Sequence, residues 1–176
     1  MASVAVAVVT GIDEYQKRLL DGMHQVFSEN WMPLIVHAND PYIRGVPASL
    51  VRLLREGNPL GVVTSASNAP GEEADLAGLL AAMGIPAVHI GQHVPGATCI
   101  RGDNVTGMRA LMAHLLDHCG ARRPVLIRGV VHQPDSIIRE QVFREEMDRR
   151  GLPVDENLII NGEFGHDIAY RAMRLV

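Results

Sequence analysis

The chain has 176 residues, of which 47% are hydrophobic, so it can build one large core or two smaller lobes. Its formal net charge is -4, whereas a surface that wraps nucleic acid needs a clustered excess of Lys and Arg. The composition therefore indicates an ordinary globular protein in which any DNA contact is made by another segment.

The N-terminal stretch MASVAVAVVTGIDEYQ predicts a first strand and not a signal peptide or a membrane span. It is apolar too briefly to cross a bilayer, lacks a basic start and reaches Asp13 and Glu14 early. The two cysteines, Cys99 and Cys119, stand among apolar or small residues without a CxxC pair. They are typical of buried, reduced thiols, so we expect a cytoplasmic protein.

Short apolar runs alternate with longer segments of helical period along the whole chain. This alternation predicts an α/β fold with parallel sheets flanked by helices, and the continuous apolar runs predict strands buried on both faces. The helical segments end at Gly and Pro punctuation such as EGNP, MGIP and RRGLP. The predicted strands are residues 4 to 9, 33 to 38, 60 to 65, 86 to 90, 124 to 129 and 157 to 162.

The stretch GQHVPGATCIRGDN interrupts this rhythm with glycines, a proline and a short extended piece. We place a lobe boundary there, which gives an N-terminal lobe of residues 1 to 101 and a second lobe of residues 102 to 176. The second lobe has only two predicted strands and finishes on a helix. Because a two-stranded sheet has a poorly covered edge, we expect the natural protein to continue.

The stretch DSIIREQVF predicts a helix with an apolar stripe. The guanidinium of Arg139 lies beside that stripe. Arg139 lies in the first turns of a helix that follows an apolar strand, where open parallel sheets bind their ligands. Its fork of donors suits hydroxyls, a carboxylate or a carbonyl. The alternative is an ion pair with Glu140, Asp135 or a neighbouring lobe. The apolar stripe is Ile138, Val142, Phe143 and Met147.

The loops after the predicted strands hold hydroxyls, amides and aromatic rings, a mixture that suits a polar ligand with an apolar face. Phe164 follows a strand, so its ring can stack on a sugar or a base, or pack over its own loop. Tyr15 can face the ligand or join the core. The loops are residues 10 to 15, 39 to 42, 64 to 68, 91 to 93, 130 to 136 and 162 to 166. The expected ligand contacts are Arg139, Phe164, Tyr15, Asp13, Asp135, Gln92 and Ser65.

Three stretches of the second half together resemble the effector-binding domain of the LacI/GalR family of bacterial transcription regulators. They are RGDNVTGMRALMAHLLDHCGARRPVLIRG, DSIIREQVFREEMDRRGLPVD and NGEFGHDIAYRAM. The shared pattern runs from an Asp-Asn pair through an Arg-containing helix and Gly-Leu-Pro to Gly-x-Phe. In the first half the resemblance is one of layout. The family domain has the type I periplasmic-binding-protein fold and extends further than this chain.

The resemblance implies two lobes, the second only partial, that close on a small effector such as a sugar, a nucleobase or a related metabolite. It implies a ligand-contacting arginine at Arg139, a stacking aromatic at Phe164, and a homodimer whose DNA-binding segment is absent from this chain. Many relatives carry an acidic and then a basic residue after the fourth strand, where this chain has Gly91 and Gln92. That departure removes an acceptor for sugar hydroxyls.

Two other functions compete with a transcription regulator. A sensor of the same kind can serve another output, such as a diguanylate cyclase or a kinase. A periplasmic solute-binding protein is disfavoured by the missing export signal. An enzyme has little support, since no GxSxG, Walker or GxGxxG motif follows a strand, and we expect no cofactor. The carboxylates of Glu72, Glu73, Glu145 and Glu146 predict solvated helix faces.

Two short motifs have more than one interpretation. Asp103 and Asn104 are expected to cap a helix that begins near Val105, with hydrogen bonding in the crevice as the alternative. The stretch HLLDHC has the spacing of metal ligands, but no further ligand pair is evident. We therefore expect no metal ion there.

Overall fold

The computed structural model describes residues 4–40, 45–65 and 72–174, with the side chains of Glu72 and Glu73 excepted. Parts of two predicted ligand loops, residues 41 to 42 and 66 to 68, lie outside the described residues, as do the two predicted solvated carboxylates of Glu72 and Glu73. The chain divides into two compact units, Met1–Arg101 and Gly102–Val176, here called unit 1 and unit 2.

Unit 1 contains a five-stranded parallel sheet in the order β2-β1-β3-β4-β5. The predicted α/β fold with parallel strands is therefore confirmed. The strand β5 had been expected only as a short extended piece, and it pairs with β4 from Thr98 opposite Val88. The elements are β1 (Ala5–Thr10), α1 (Glu14–Glu29), β2 (Leu34–Asn39), α2 (Ala48–Gly57), β3 (Gly61–Ser65), α3 (Glu72–Ala82), β4 (Ala87–Ile90) and β5 (Thr98–Ile100).

The core of unit 1 lies between the central strands and the helices α2 and α3. Burial on both faces is confirmed for β1, whose residues from Ala5 to Val9 are all buried. It is wrong for β2, where Ile35 and Val36 are exposed, because among the described strands β2 pairs with β1 alone and forms the edge of the sheet. The buried cluster consists of Val6, Val8, Leu50, Leu54, Val62, Leu76 and Leu80.

Unit 2 contains a parallel pair of short strands, β6 and β7, in register from Leu126 opposite Ile159 to Arg128 opposite Asn161. Helix α4 continues into one π-helical turn, His114–His118. The elements are α4 (Asn104–Ala113), β6 (Leu126–Arg128), α5 (Pro134–Asp148), a 3₁₀ turn (Glu156–Leu158), β7 (Ile159–Asn161) and α6 (His166–Met173).

The core of unit 2 is formed where α4 and α5 pack on β6. Three residues of the predicted α5 stripe, Val142, Phe143 and Met147, are buried. Phe143 and Met147 share one cluster with Met112, Leu116 and Leu126. The stripe places the first turns of α5 beside the carboxyl end of β6, which is where the candidate site begins.

Glu146 is buried, so its predicted place on a solvated face of α5 is wrong. Its carboxylate accepts a hydrogen bond from Arg150 Nη1 at 2.6 Å and also pairs with Arg149. The hydrogen bond from Arg150, followed by the charge of Arg149, lowers the pKa of Glu146 against the effect of burial. A buried carboxylate is tolerated when it is paired in this way. Arg150 also donates to Asp117 in the π-helical turn that follows α4 and so ties this turn to the end of α5.

The prediction of two buried thiols is wrong for Cys119, which is exposed, while Cys99 is half-buried and both are free. Cys119 directly follows the π-helical turn, where the helix leaves the core, and its Sγ lies 3.5 Å from His114 Nε2. The rings of His114 and His118 stack with centroids 5.2 Å apart. Among the described residues, no three His, Cys, Asp or Glu side chains are grouped so as to hold a metal ion. Within the same residues, no helix is long and apolar enough to cross a membrane.

Candidate ligand-binding site

A pocket of about 700 Å³ lies within unit 2 alongside β6. One part of its wall is apolar and comes from α4 and β6, as with Met108, Leu111 and Ile127. Polar groups, among them Arg139 and Ser136, line it where α5 begins. An apolar wall with a few polar groups is typical of sites for small molecules.

Phe164 forms one wall of this pocket, and its position depends on an unusual turn after β7. Glu163 and Phe164 both have positive φ, 51° and 57°. A non-glycine residue loses about 1 to 2 kcal/mol in this conformation, and residues strained in this way cluster at functional sites. The turn lays the Phe164 ring against Gly129, where an added Cβ would lie 2.0 Å from the ring carbon Cζ. Phe164 is 52% exposed, so its ring offers a flat apolar surface.

Arg139 lines the same pocket and is held there through only one of its nitrogens. Its Nε donates to Asn104 Oδ1 at 2.7 Å, and Asn104 Nδ2 donates to Asp135 Oδ1 at 2.8 Å. Arg139 Nη2 lies 3.9 Å from Asp135 Oδ2, beyond hydrogen-bond distance. Neither Nη atom of Arg139 donates a hydrogen bond to any described residue. The two terminal nitrogens are therefore available to another acceptor.

Glu140, the other predicted partner of Arg139, is engaged elsewhere. Its carboxylate accepts from Arg128 Nη1 at 2.7 Å and from Arg144 Nη2 at 2.8 Å. Burial acts to raise the pKa of Glu140, but the hydrogen bonds from the two arginines outweigh it and lower the pKa. Arg128 is held further by Asn161 Oδ1, 2.5 Å from its Nε. Glu140 therefore pairs with Arg128 and Arg144, and not with Arg139.

Asp103 and Asn104, at the start of α4, were both predicted to cap the helix or to hydrogen-bond elsewhere, and each has one of these roles. Asp103 is the N-cap, because its Oδ1 accepts from the backbone N–H of Thr106 at 3.0 Å. Asn104 does not cap the helix and bonds Arg139 and Asp135 instead. Sequence reasoning did not find this link, because the partners lie 31 and 35 residues away along the chain.

The carboxyl edge of the sheet in unit 1 carries the other predicted contacts. Asp13 caps α1 by accepting from the backbone N–H of Gln16 at 2.7 Å, and Tyr15 in the first turn is 53% exposed. Ser65 ends β3 opposite Ile90 and is buried. These positions share one edge of the sheet because the strands are parallel, as the sequence predicted.

Gln92, just after β4, is buried and belongs to a chain of polar groups. Its Nε2 donates to Thr64 Oγ1 at 2.6 Å, and Thr64 Oγ1 lies 2.8 Å from His89 Nδ1. Burial lowers the pKa of His89, which favours the neutral ring. The polar chain holds Gln92 in place at the carboxyl edge of the sheet.

Three buried oxygens in this region of unit 1 have no hydrogen-bond partner among the described residues. They are Gln16 Oε1, Ser65 Oγ and Gln92 Oε1. A buried polar atom without a partner costs about 1 to 3 kcal/mol, so such atoms call for a physical explanation. Gln16 was not among the predicted contacts, because its place in the helical pattern gives no sign of burial.

No family model and no curated protein matches the chain. Solved structures do match it, and among them are LacI-family transcriptional regulators. One from Mycobacterium smegmatis has a TM-score of 0.73 at 20% identity, covering 96% of this chain and 60% of that one. One from Chloroflexus aggregans has a TM-score of 0.73 at 20% identity, covering 97% and 62%. The regulator CelR in complex with cellobiose has a TM-score of 0.71 at 23% identity, covering 99% and 56%.

The chain has the fold of these LacI-type regulators. The expected periplasmic-binding-protein-like architecture is thereby confirmed, since another similar structure, from Alkaliphilus metalliredigens, is described as a periplasmic binding protein/LacI transcriptional regulator. The chain spans between 53% and 64% of the length of the regulators it resembles. This partial match shows the fold, and it does not show the activity of a whole regulator.

Proposed function

We propose that the chain is the effector-sensing part of a LacI-type transcriptional regulator, which binds a small molecule without changing it chemically. The observation that carries this proposal is the state of Arg139. Its side chain lines the pocket and its Nε is fixed by Asn104, while neither terminal nitrogen donates a hydrogen bond to a described residue. A guanidinium held in this way is prepared for a ligand.

The chemistry of the pocket favours a ring-shaped ligand with a polar edge. The Phe164 ring stacks on the flat face of a sugar or a base, and Arg139 binds hydroxyls, a carbonyl or a carboxylate. Similar proteins support this class of ligand, since one was solved with cellobiose and another with D-xylulofuranose. A charge-assisted hydrogen bond of this kind contributes about 1.5 to 3 kcal/mol.

Unit 1, taken by itself, carries polar groups that we also propose as ligand contacts. The oxygens of Ser65 and Gln92 that have no partner among the described residues suit a ligand with hydroxyl donors. Tyr15 adds an exposed ring in the first turn of α1. Asp13 is engaged as a helix cap, so any contact that it makes uses the carboxylate oxygen that does not cap the helix.

Asp135 belongs to unit 2, where it accepts a hydrogen bond from Asn104 and lies 3.9 Å from Arg139. Its proposed role is to position these two residues more than to contact the ligand itself.

The proposed consequence of binding is a change in the DNA affinity of an attached domain, in a cytoplasmic homodimer. Such coupling requires that the effector bind one conformation of the regulator more tightly than the other. The net charge of -4 supports the assignment of DNA contact to a separate segment. The family of similar structures supports the regulatory output.

A thermal-shift screen of sugars, nucleobases and small organic acids tests the proposal. At least one compound is expected to raise the melting temperature of the chain, and Arg139→Ala is expected to remove the effect. Arg171→Ala is the matched control, because Arg171 is an exposed arginine of unit 2 that does not line the pocket. A stabilising compound that acts equally on wild type and Arg139→Ala would place binding elsewhere. A screen without any stabilising compound would count against a sensing role.

A further inference from the structure

The side-chain amide of Asn104 stands between two oppositely charged residues of α5. Its oxygen accepts from Arg139 Nε at 2.7 Å, and its nitrogen donates to Asp135 Oδ1 at 2.8 Å. Both the acceptor and the donor side of the amide are therefore occupied. Asn104 bridges the two charged residues from the first turn of a different helix, α4.

Without this bridge, Asp135 and Arg139 have the spacing of a helical ion pair. They are four residues apart on α5, with the acid on the N-terminal side, which is the favourable order for such a pair. Yet the closest approach of Arg139 Nη2 to Asp135 Oδ2 is 3.9 Å, too far for a hydrogen bond. The amide holds the guanidinium by Nε and the carboxylate by Oδ1, so neither is free to close the gap.

We propose that Asn104 is a positioning residue that keeps the terminal nitrogens of Arg139 away from Asp135, so that they stay available to the effector. The role in effector binding rests on the proposed function, whereas the effect on Arg139 itself does not. Asn104→Ala removes both hydrogen bonds. Asp135 then pairs directly with the Nη atoms of Arg139 and withdraws them from the pocket.

The availability of the Nη atoms can be measured without an effector by labelling with phenylglyoxal, a dicarbonyl that reacts across both of them. Peptide mass spectrometry gives the labelling rate of Arg139 relative to Arg55, an exposed arginine of unit 1 with no hydrogen bond or ion pair to another described residue. In Asn104→Ala the relative rate is expected to fall about twofold or more, the protection that an exposed helical ion pair provides. In the double variant Asn104→Ala, Asp135→Asn it is expected to return to the wild-type rate.

Asp103→Ala is the matched control, because it removes the N-cap of the same helix and makes no bond to Arg139. It is expected to lower the melting temperature and leave the labelling of Arg139 unchanged. If Asn104→Ala does not fold, Asn104→Ser replaces it, since serine favours the start of a helix and is too short to bridge both partners.

Three results would overturn the inference. Arg139 labelled as fast or faster in Asn104→Ala would show that no pair forms. A double variant that stays as slow as the single one would exclude Asp135 as the competitor. An equal slowing in Asp103→Ala would assign the effect to the helix end as a whole. The labelling experiment and the compound screen can give different answers. If labelling follows the expected pattern but no compound of the screen binds, the proposed function is refuted and the effect of Asn104 on Arg139 still holds.

Discussion

The ring of Phe164 lies directly on Gly129, so that a Cβ at Gly129 would fall 2.0 Å from Cζ and 2.1 Å from Cε1. Gly129 follows β6 and Phe164 follows β7, so the contact joins the carboxyl ends of the two strands of unit 2. The Phe164 ring can occupy this wall of the pocket because residue 129 is a glycine and has no side chain.

Gly129→Ala is expected to push the Phe164 ring out of the pocket and weaken effector binding. The ring is the mobile end of a half-exposed side chain, so it moves before the backbone does, and the free energy of unfolding changes little. Loss of an aromatic stack costs about 0.5 to 1.5 kcal/mol, which corresponds to a roughly twofold to tenfold weaker affinity. Calorimetric titration with a compound from the screen measures this change.

Gly107→Ala is the control for that experiment. Gly107 lies inside α4, and a Cβ there would meet no atom within 4 Å. Alanine favours a helix interior by about 1 kcal/mol, so this variant is expected to be more stable than wild type with the same affinity. An unchanged affinity in Gly129→Ala would remove the Phe164 ring from the site.

Much of the fold could be predicted from the sequence because strands and helices leave periodic apolar patterns. The runs VAVAVV and PVLIRG marked β1 and β6 without any structural knowledge. The strand β5 was harder, since TCI is three residues long and only its middle residue, Cys99, is partly buried. Short segments take their strand character from a neighbour, here β4.

The candidate site was predictable only in part, because side-chain partners are set by long-range packing. The positions of Arg139 and Phe164 beside a pocket follow from their places after β6 and β7. The role of Asn104 does not, since it depends on how α4 packs on α5. Glu146 was misplaced for the same reason: its burial depends on that packing and on arginines that compensate its charge.

Glu146→Ala is expected to destabilise unit 2 by about 2 to 4 kcal/mol, because it leaves Arg150 with only part of its buried pairing. Urea unfolding followed by circular dichroism measures the loss. Glu145→Ala is the matched control, since Glu145 is the exposed neighbour on the same helix. Equal effects of the two substitutions would show that the buried carboxylate has no special role.

The lowered pKa of Glu146 also predicts how acid affects unit 2. Hydrogen bonding to Arg150 and the charge of Arg149 place the folded-state pKa below the ordinary value of 4.5. The unfolded chain therefore binds a proton more readily than the folded one, and this contribution to stability is lost as the pH falls below about 4.5. In Glu146→Gln the free energy of unfolding is expected to vary less over that range. A pH dependence identical to that of wild type would contradict the assignment.

His89 predicts a separate pH dependence for unit 1. Burial lowers its pKa in the folded state below 6.5, so below that pH the unfolded chain binds more protons than the folded one. The stability of unit 1 is expected to decrease from about pH 7.5 to about pH 5.5, where an ordinary histidine becomes charged. His89→Asn keeps a partner for Thr64 and removes the titration, so it should flatten this part of the curve. Hydrogen exchange of the β3 and β4 amides, measured at both pH values, gives the stability of unit 1. An equal loss of stability with falling pH in wild type and His89→Asn would refute the role of His89.

The most direct test of the account is a calorimetric titration of a compound from the screen into wild type, Arg139→Lys and Arg139→Ala. Lysine keeps the charge but lacks the fork of donors, so both variants are expected to bind about tenfold to a hundredfold more weakly, with unchanged melting temperatures of the free proteins. Equal affinity in all three proteins would show that the Arg139 guanidinium does not hold the effector and would contradict the proposed site.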